Sequence, residues 1–80
     1  MEDKYKMLKD KRQVTSSTIE SIEYTFETNA LEVVFLNGSR YRYYFVPNSV
    51  FEDFANADSQ GKYFAKNIRN TYEYEKMTEE

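Results

Sequence analysis

Apolar and polar side chains alternate along the middle of the chain, with the period of β-strands that bury one face. The alternation falls into three runs, residues 22–26, 31–36 and 40–46. Thr28-Asn29 separates the first two runs, and Asn37-Gly38, the sequence that favours a type I′ turn, separates the last two. Three strands joined by two tight turns predict an antiparallel meander.

The third run assigns its side chains to two faces of this sheet. Tyr41, Tyr43 and Phe45 have the phase of the apolar side chains in the earlier runs and are expected to face the core. The opposite, exposed face is then expected to carry Val34, Leu36, Arg40, Arg42, Tyr44 and Val46.

Beyond the third run the apolar spacing changes to that of an α-helix. Pro47 ends the strand and suits the first turn of a helix. Ser49 and Glu52 have the spacing of a capping box. The apolar positions that follow, with Phe54 at their centre, predict a helix near 47–57 that packs on the sheet.

A second short helix is predicted near 59–69. Asp58 or Ser59 is its expected N-cap, and Gly61 in its first turn indicates a close approach of two backbones. Phe64 and Ile68 are four residues apart and are expected to lie on its buried face.

The pattern divides the chain into an arm, a domain and a tail. Residues 1–13 set few apolar side chains among many charges and are expected to form an N-terminal arm, partly disordered or a short helix. Residues 14–77 form the folded domain, whose last part is a short strand or an extended segment, and 78–80 form the tail. The predicted fold class is α+β: a three-stranded antiparallel meander packed by two short C-terminal helices, with a flexible N-terminal arm.

Composition excludes several kinds of chemistry. The 80 residues suit one domain, and eight Tyr and six Phe supply its core. There is no cysteine and no histidine, which excludes disulfides, thiolate metal sites and the usual general base at neutral pH. Ser16-Ser17-Thr18 has no base beside it and is expected to cap or enter a strand. We therefore expect no cofactor and no catalytic activity.

No apolar run is long enough for a membrane span, and the first residues lack the apolar centre of a signal peptide. We therefore expect a cytoplasmic protein that does not contact membranes. The net charge of −3 argues against a polybasic nucleic-acid binder, but it conceals local positive patches.

Two such patches are candidate binding sites. On the exposed sheet face, Arg40, Arg42 and Tyr44 follow one another at alternate positions. This arrangement suits base stacking beside phosphate contacts. On the second helix, Lys62, Lys66 and Arg69 form a stripe that suits phosphate contacts or is simply a solvated helix face. Together the candidate residues for nucleic-acid or partner binding are Arg40, Arg42, Tyr44, Lys62, Lys66 and Arg69.

The order of short motifs along the chain resembles the KTSC domain family. The motifs are Val14-x-Ser16-Ser17-x-Ile19, Ile22-x-Tyr24, Leu31-x-Val33-x-Phe35-x-Asn37-Gly38, Tyr41-x-Tyr43, Val46-Pro47, Ala57-x-Ser59-x-Gly61-x-Tyr63-Phe64 and Ile68-Arg69-x-x-Tyr72. The family is named for the C-terminal extension of some lysyl-tRNA synthetases and also occurs as stand-alone bacterial and phage proteins. The resemblance implies a small α+β module without catalytic activity, with RNA binding as its suggested role. Glu23 and Ala65 replace a glycine and an asparagine that are frequent in the family.

Two functions follow as competing hypotheses. One is binding of RNA or another single-stranded nucleic acid. The other is a protein-interaction module, such as a phage or mobile-element protein that binds a host protein, or self-association, in either case through the exposed sheet face. Aromatic and arginine side chains favour both kinds of interface.

Overall fold

Residues 8–77 are the part of the chain that the computed structural model describes. The expectations for residues 1–7 and 78–80 lie outside it. The strands are β1 (Lys9–Gln13), β2 (Ile19–Thr25), β3 (Ala30–Phe35), β4 (Arg40–Tyr43) and β5 (Tyr74–Met77), and the helices are α1 (Asn48–Ala55) and α2 (Gln60–Asn67). All strand pairs are antiparallel, in the sheet order β1-β2-β3-β4-β5. No helix among the described residues is long and apolar enough to cross a membrane.

The sheet contains the three predicted strands and adds one at each edge. The α+β class is confirmed, while the number of strands was too low. The part of the predicted arm at Lys9–Gln13 is neither frayed nor helical, because it pairs with β2 along its length. Its side chains are charged or polar in both phases, so no apolar alternation marks it as a strand. Such composition is typical of edge strands, which need one paired side only.

The two hairpin turns follow different rules. Asn29 has φ 57, as its place in the first turn predicts. In the second turn only Gly38 has a positive φ, at 96, so the predicted type I′ turn is wrong. Phe35 and Ser39 are joined by a 2.8 Å backbone hydrogen bond across a three-residue loop, which needs a positive φ at one position rather than two.

The chain bends sharply after β4, and two predicted orientations are wrong there. Phe45 adopts φ 57 and is 78% exposed, although its phase in the sequence predicted a core position. Val46 is fully buried rather than on the exposed face. The left-handed residue breaks the alternation, and the Val46 amide then donates to the carbonyl of Asn29 at 2.9 Å.

The two helices begin at different kinds of cap. Pro47 is the N-cap of α1 and no side chain caps it, so the capping box expected at Ser49 is absent. The prediction for α2 is confirmed, because the Ser59 hydroxyl accepts a 3.2 Å hydrogen bond from the Lys62 amide. At Gly61 an added Cβ would lie 3.1 Å from the Thr18 hydroxyl oxygen, so the close neighbour there is a side chain rather than the backbone that was expected.

Both helices pack on one face of the sheet, which we call the helix face. Phe51 and Phe54 of α1 are fully buried, and α2 contributes Phe64. The ring of Tyr24 stacks on Phe51 with 4.8 Å between centroids. Its hydroxyl is also buried, donating to the carbonyl oxygen of Val46.

Arg12 joins β1 to α1. Its guanidinium lies 5.1 Å from the ring centroid of Phe51 and contacts the carboxylates of Asp10 and Glu52 at 2.8 and 3.4 Å. Hydrogen bonding to Arg12 lowers the pKa of Asp10, partial burial opposes the shift, and the nearby positive charge adds to it. The charged edge strand is therefore held by a cation–π contact and ion pairs in place of apolar packing.

Phe54→Ala is expected to destabilise the domain by roughly 3–5 kcal/mol, because it leaves a cavity in the centre of the core. So large a loss unfolds most of a domain of this size. Phe45→Ala is the matched control, since the same atoms are removed from a side chain that is 78% exposed. Urea or thermal melts measure both changes, and equal losses in the two variants would contradict this assignment of the core.

Asp10→Asn is expected to lower the thermal midpoint at neutral pH, with a smaller effect in acid. The pKa of Asp10 lies below its ordinary 3.8 in the folded state. A lowered pKa contributes stability that is complete well above the ordinary value and is lost as the pH falls through the folded-state pKa. Melts of wild type and variant should therefore converge in that acidic range.

The control for this experiment is Asp58→Asn, at an exposed carboxylate that forms no ion pair with any residue of 8–77. Its midpoint should follow that of wild type at every pH. A difference between wild type and Asp10→Asn that stays constant into strong acid would show that the Asp10–Arg12 pair does not act through charge.

Candidate nucleic-acid interface

The structure separates the six predicted site residues into two groups on opposite faces of the sheet. Tyr41 and Tyr43 lie on the helix face, where the Tyr43 ring contacts Phe64 at 5.5 Å between centroids. Because side chains alternate along a strand, Arg40 and Arg42 lie on the other face, which we call the open face. The full division places Arg40, Arg42 and Tyr44 on the open face and Lys62, Lys66 and Arg69 on the α2 side.

On the open face the two arginines share one carboxylate. The guanidinium groups of Arg40 and Arg42 lie 3.7 and 3.5 Å from the carboxylate oxygens of Glu32, whose side chain is only 16% exposed. Hydrogen bonding to Tyr44 raises the pKa of Arg42, burial opposes the shift, and the Glu32 charge adds to it. Because the Glu32 carboxylate partly neutralises both guanidinium groups, their attraction for a phosphate is weaker than that of two unpaired arginines.

A hollow of about 290 Å³ lies beside these residues on the open face. The small side chains of Thr25 and Ala30 are among the residues that line it. The charged and aromatic side chains around it are Lys9, Glu23, Glu32, Arg42 and Tyr44. Two carboxylates stand against two cations, so the hollow does not favour an anion. The Tyr44 hydroxyl donates to the Glu75 carboxylate at 3.2 Å, which adds a third acid to this face.

The helix face carries a different surface where the two short helices leave Tyr41 of β4 and Tyr74 of β5 partly uncovered. Two adjoining hollows of about 670 and 310 Å³ share Phe35, Asn37, Phe64 and Arg69 as lining residues. Together they form a continuous depression that we call the aromatic groove. Its main lining residues are Phe35, Asn37, Tyr41, Tyr43, Lys62, Phe64, Arg69 and Tyr74. Among the described residues that line it there is no carboxylate.

The floor of the groove is a set of contacting rings. Tyr74 lies 5.4 Å from Tyr43 and 5.7 Å from Tyr41, and Tyr41 lies 5.8 Å from Phe35, all between ring centroids. Tyr74 is 55% exposed and Tyr41 is half-buried, so both rings present area to solvent. The ammonium of Lys76 lies 6.0 Å from the Tyr41 centroid, which places a further cation at the rim.

The polar groups of the groove are mostly donors. Burial raises the pKa of Tyr43 to about 12, Tyr74 and Tyr41 add to the shift, and the positive charge of Arg69 opposes it. The phenol of Tyr43 is therefore protonated at neutral pH. The Asn37 side-chain oxygen already accepts from the amide and the hydroxyl of Ser39, which leaves its NH₂ group for a ligand. Donors without competing carboxylates favour an anionic ligand.

The sequence placed some of these residues and missed others. Lys62 and Arg69 were predicted site residues and line the groove, while Lys66 lies near them on α2 without lining it. Tyr74 was missed as a site residue because β5 was not recognised as a fifth strand. Its signal was the Tyr72-x-Tyr74 repeat of the Tyr41-x-Tyr43 spacing. Asn37 was interpreted only as a turn residue.

Among residues 8–77 no group of three or more His, Cys, Asp or Glu side chains is placed to hold a metal ion.

Comparison with known proteins identifies the domain. The family model of the KTSC domain matches residues 15–72. The chain belongs to the KTSC domain family. A crystal structure of a KTSC domain protein from Yersinia pestis superposes with a TM-score of 0.81 at 30% identity, covering 89% of this chain and all of that one. The family resemblance that the sequence motifs indicated is thus confirmed.

The sequence relatives include two larger enzymes. The lysine–tRNA ligases of Nostoc punctiforme and Trichormus variabilis are each 39% identical over 62 residues, which is 78% of this chain. The chain spans only 11% of the length of these ligases. An uncharacterized protein of Stutzerimonas stutzeri is 43% identical over 49 residues, covering 61% of this chain and 69% of that protein. The KTSC domain thus occurs both within tRNA ligases and in small proteins.

The motifs that carry the KTSC resemblance supply much of the aromatic groove. Phe35, Asn37, Tyr41, Tyr43 and Arg69 all belong to them and all line it. The open-face candidates lie outside these motifs.

Proposed function

We propose that this KTSC domain is a binding module without catalytic activity and that it holds single-stranded RNA in the aromatic groove. The observation that carries the proposal is the pairing of exposed rings with cations in a groove free of carboxylates among its described lining residues. Single-stranded nucleic acids are bound by this combination, because bases stack on aromatic rings while cations hold the phosphates.

Each part of the groove has a role in this proposal. A base stacks on the exposed ring of Tyr74 beside Tyr41, and a second base packs against Phe35. Arg69 lies close enough to Tyr43 to influence its pKa, and its guanidinium holds the intervening phosphate. Lys62 contacts the next phosphate along the strand.

RNA is favoured over DNA by the relatives. Two of the proteins that contain a matching segment are named lysine–tRNA ligases, and that name specifies an RNA substrate. That name describes the whole ligase, of which the match covers 11%.

The expected binding is weak and strongly dependent on salt. On the α2 side of the groove the cations available for phosphate contacts are Lys62, Lys66 and Arg69, while Lys76 lies over the Tyr41 ring at the rim and Arg40 and Arg42 lie on the opposite face. Three phosphate contacts give a log–log salt slope of about −2 on single strands, compared with about −3.5 for five contacts. The net charge of −3 reduces the affinity further.

Binding of a protein partner through the exposed sheet face is the competing hypothesis, and the structure gives it less support. Val46 is buried, and Leu36 lines the aromatic groove instead. What remains is a charged surface around Tyr44 rather than an apolar patch.

Tyr74→Ala is expected to weaken binding of a short uridine homopolymer by about 5- to 150-fold, the equivalent of one base–ring stack of about 1–3 kcal/mol. The salt slope should stay unchanged, because no charge is lost. Fluorescence anisotropy at several salt concentrations measures both quantities. Tyr44→Ala is the matched control on the open face. If it weakens binding and Tyr74→Ala does not, the RNA lies on the face that the sequence alone suggested.

Arg69→Gln is expected to flatten the salt slope by about 0.7 and to weaken binding alike for every base composition, because it removes one phosphate contact. Lys9→Gln removes the same charge from the open face and should leave the slope unchanged. Equal effects of both substitutions would indicate binding to overall charge rather than to the groove. No binding of single-stranded RNA at low salt would refute the proposal.

A further inference from the structure

The open face carries a row of five charged side chains, one from each strand. The strand register places them side by side across the sheet in the order Lys11, Glu23, Glu32, Arg42 and Glu75. Paired residues of neighbouring strands present their side chains on the same face, so the row reads positive, negative, negative, positive, negative. None of these residues lines the aromatic groove.

One pair in this row is unfavourable within a single chain. Glu23 and Glu32 are direct cross-strand partners, and like charges in that position are destabilising. Glu32 is bound by Arg40 and Arg42. Glu23 has Lys11 as its cross-strand partner on the other side, but it forms no close ion pair with any residue between 8 and 77. It is nevertheless half-buried among its neighbours. A positive charge supplied from outside the chain would remove this conflict.

We propose that the open face binds a second copy of this chain, related by a two-fold axis that runs along β3. Such an axis places β1 of one copy over β5 of the other and reverses the row. Lys11 then faces Glu75 of the second copy and Glu23 faces Arg42 of the second copy, and each contact occurs twice. The unsatisfied carboxylate of Glu23 thereby gains a guanidinium.

The residues near the axis fit this arrangement. Val34 and Ala30, on the open face of β3 on either side of Glu32, each meet their own counterpart and form two small apolar contacts. The two Glu32 carboxylates also approach each other, but each is already flanked by Arg40 and Arg42. Facing sheets lie about 10 Å apart, a gap that lysine and glutamate side chains span together.

A two-fold axis that runs along the charge row itself, perpendicular to the strands, is disfavoured by charge. It would place every strand over its own copy, so that Lys11 faced Lys11 and Glu23 faced Glu23. Like charges in that register repel. The charge row therefore specifies one relative orientation of the two chains.

The interface is small, so the dimer is weak. A face made of five strands, about 4.8 Å apart and about five residues long, has an area of roughly 400 Å² on each copy. Stable interfaces bury about 800 Å² on each partner, so this dimer belongs to the transient class. Association through ion pairs near solvent also weakens as salt rises. The aromatic groove lies on the opposite face and stays open in both copies.

The test is a charge exchange between the two edge strands, measured by analytical ultracentrifugation. Wild type is expected to gain mass with concentration at low salt, towards twice its 9.6 kDa, and to lose this gain at high salt. Lys11→Glu and Glu75→Lys should each be monomeric, because both outer contacts of each homodimer then join like charges. Both residues are exposed on edge strands, and thermal melts check that the variants fold.

Mixing the two single variants provides the decisive measurement. In the mixed pair both outer contacts join opposite charges, so the mixture should dimerise although neither variant does so alone. The double variant Lys11→Glu/Glu75→Lys should dimerise like wild type. Wild type that stays monomeric at about 1 mM and low salt, equivalent to binding weaker than about 4 kcal/mol, would overturn the proposal. Single variants that associate like wild type, or a mixture that stays monomeric, would overturn it too.

Discussion

The buried side chain of Tyr24 connects the first hairpin turn, the bend after β4 and the start of α1, which the hydrogen bonds between strands do not join. It donates to the carbonyl oxygen of Val46 and accepts a 2.8 Å hydrogen bond from the Asn29 side chain, while its ring stacks on Phe51. A buried hydroxyl without partners is costly, so the first hairpin turn, the bend after β4 and the start of α1 must come together around it. The positive φ angles of Asn29 and Phe45 are the conformations that permit this arrangement.

The position of that bend also decides where ligands can reach the sheet. Because β4 ends at Tyr43 and α1 begins directly after Pro47, the two short helices cover the β1–β3 side of the helix face. Tyr41 of β4 and Tyr74 of β5 are left partly open beside Arg69. On the other face the carboxylate of Glu32 is paired with Arg40 and Arg42. Among residues 8–77, a chain of net charge −3 thus keeps the lining of the aromatic groove free of carboxylates.

The features predictable from the sequence are those that depend on local chemistry. The central strands, the turn at Asn29, the cap at Ser59 and the constraint at Gly61 follow from alternation, backbone preference and side-chain size. β1 was missed because its side chains are charged or polar in both phases, and β5, expected as a short strand or an extended segment, was not placed in the sheet because it is only four residues long. The exposure of Phe45 and the pairing of both arginines with Glu32 arise only from tertiary contacts. The cations of the groove were therefore predictable, whereas its aromatic floor, which needs β5, was not.

The strand order has a consequence for how the domain assembles. Strands β1 to β4 are neighbours in sequence as well as in the sheet, so each hairpin closes a short loop at small entropic cost. Only β5 returns across the helices to pair with β4. It has four residues, three of them exposed, and little apolar area holds it in place. The strand that carries Tyr74 is therefore expected to join last and to detach first, so that one wall of the groove opens without unfolding the rest of the sheet.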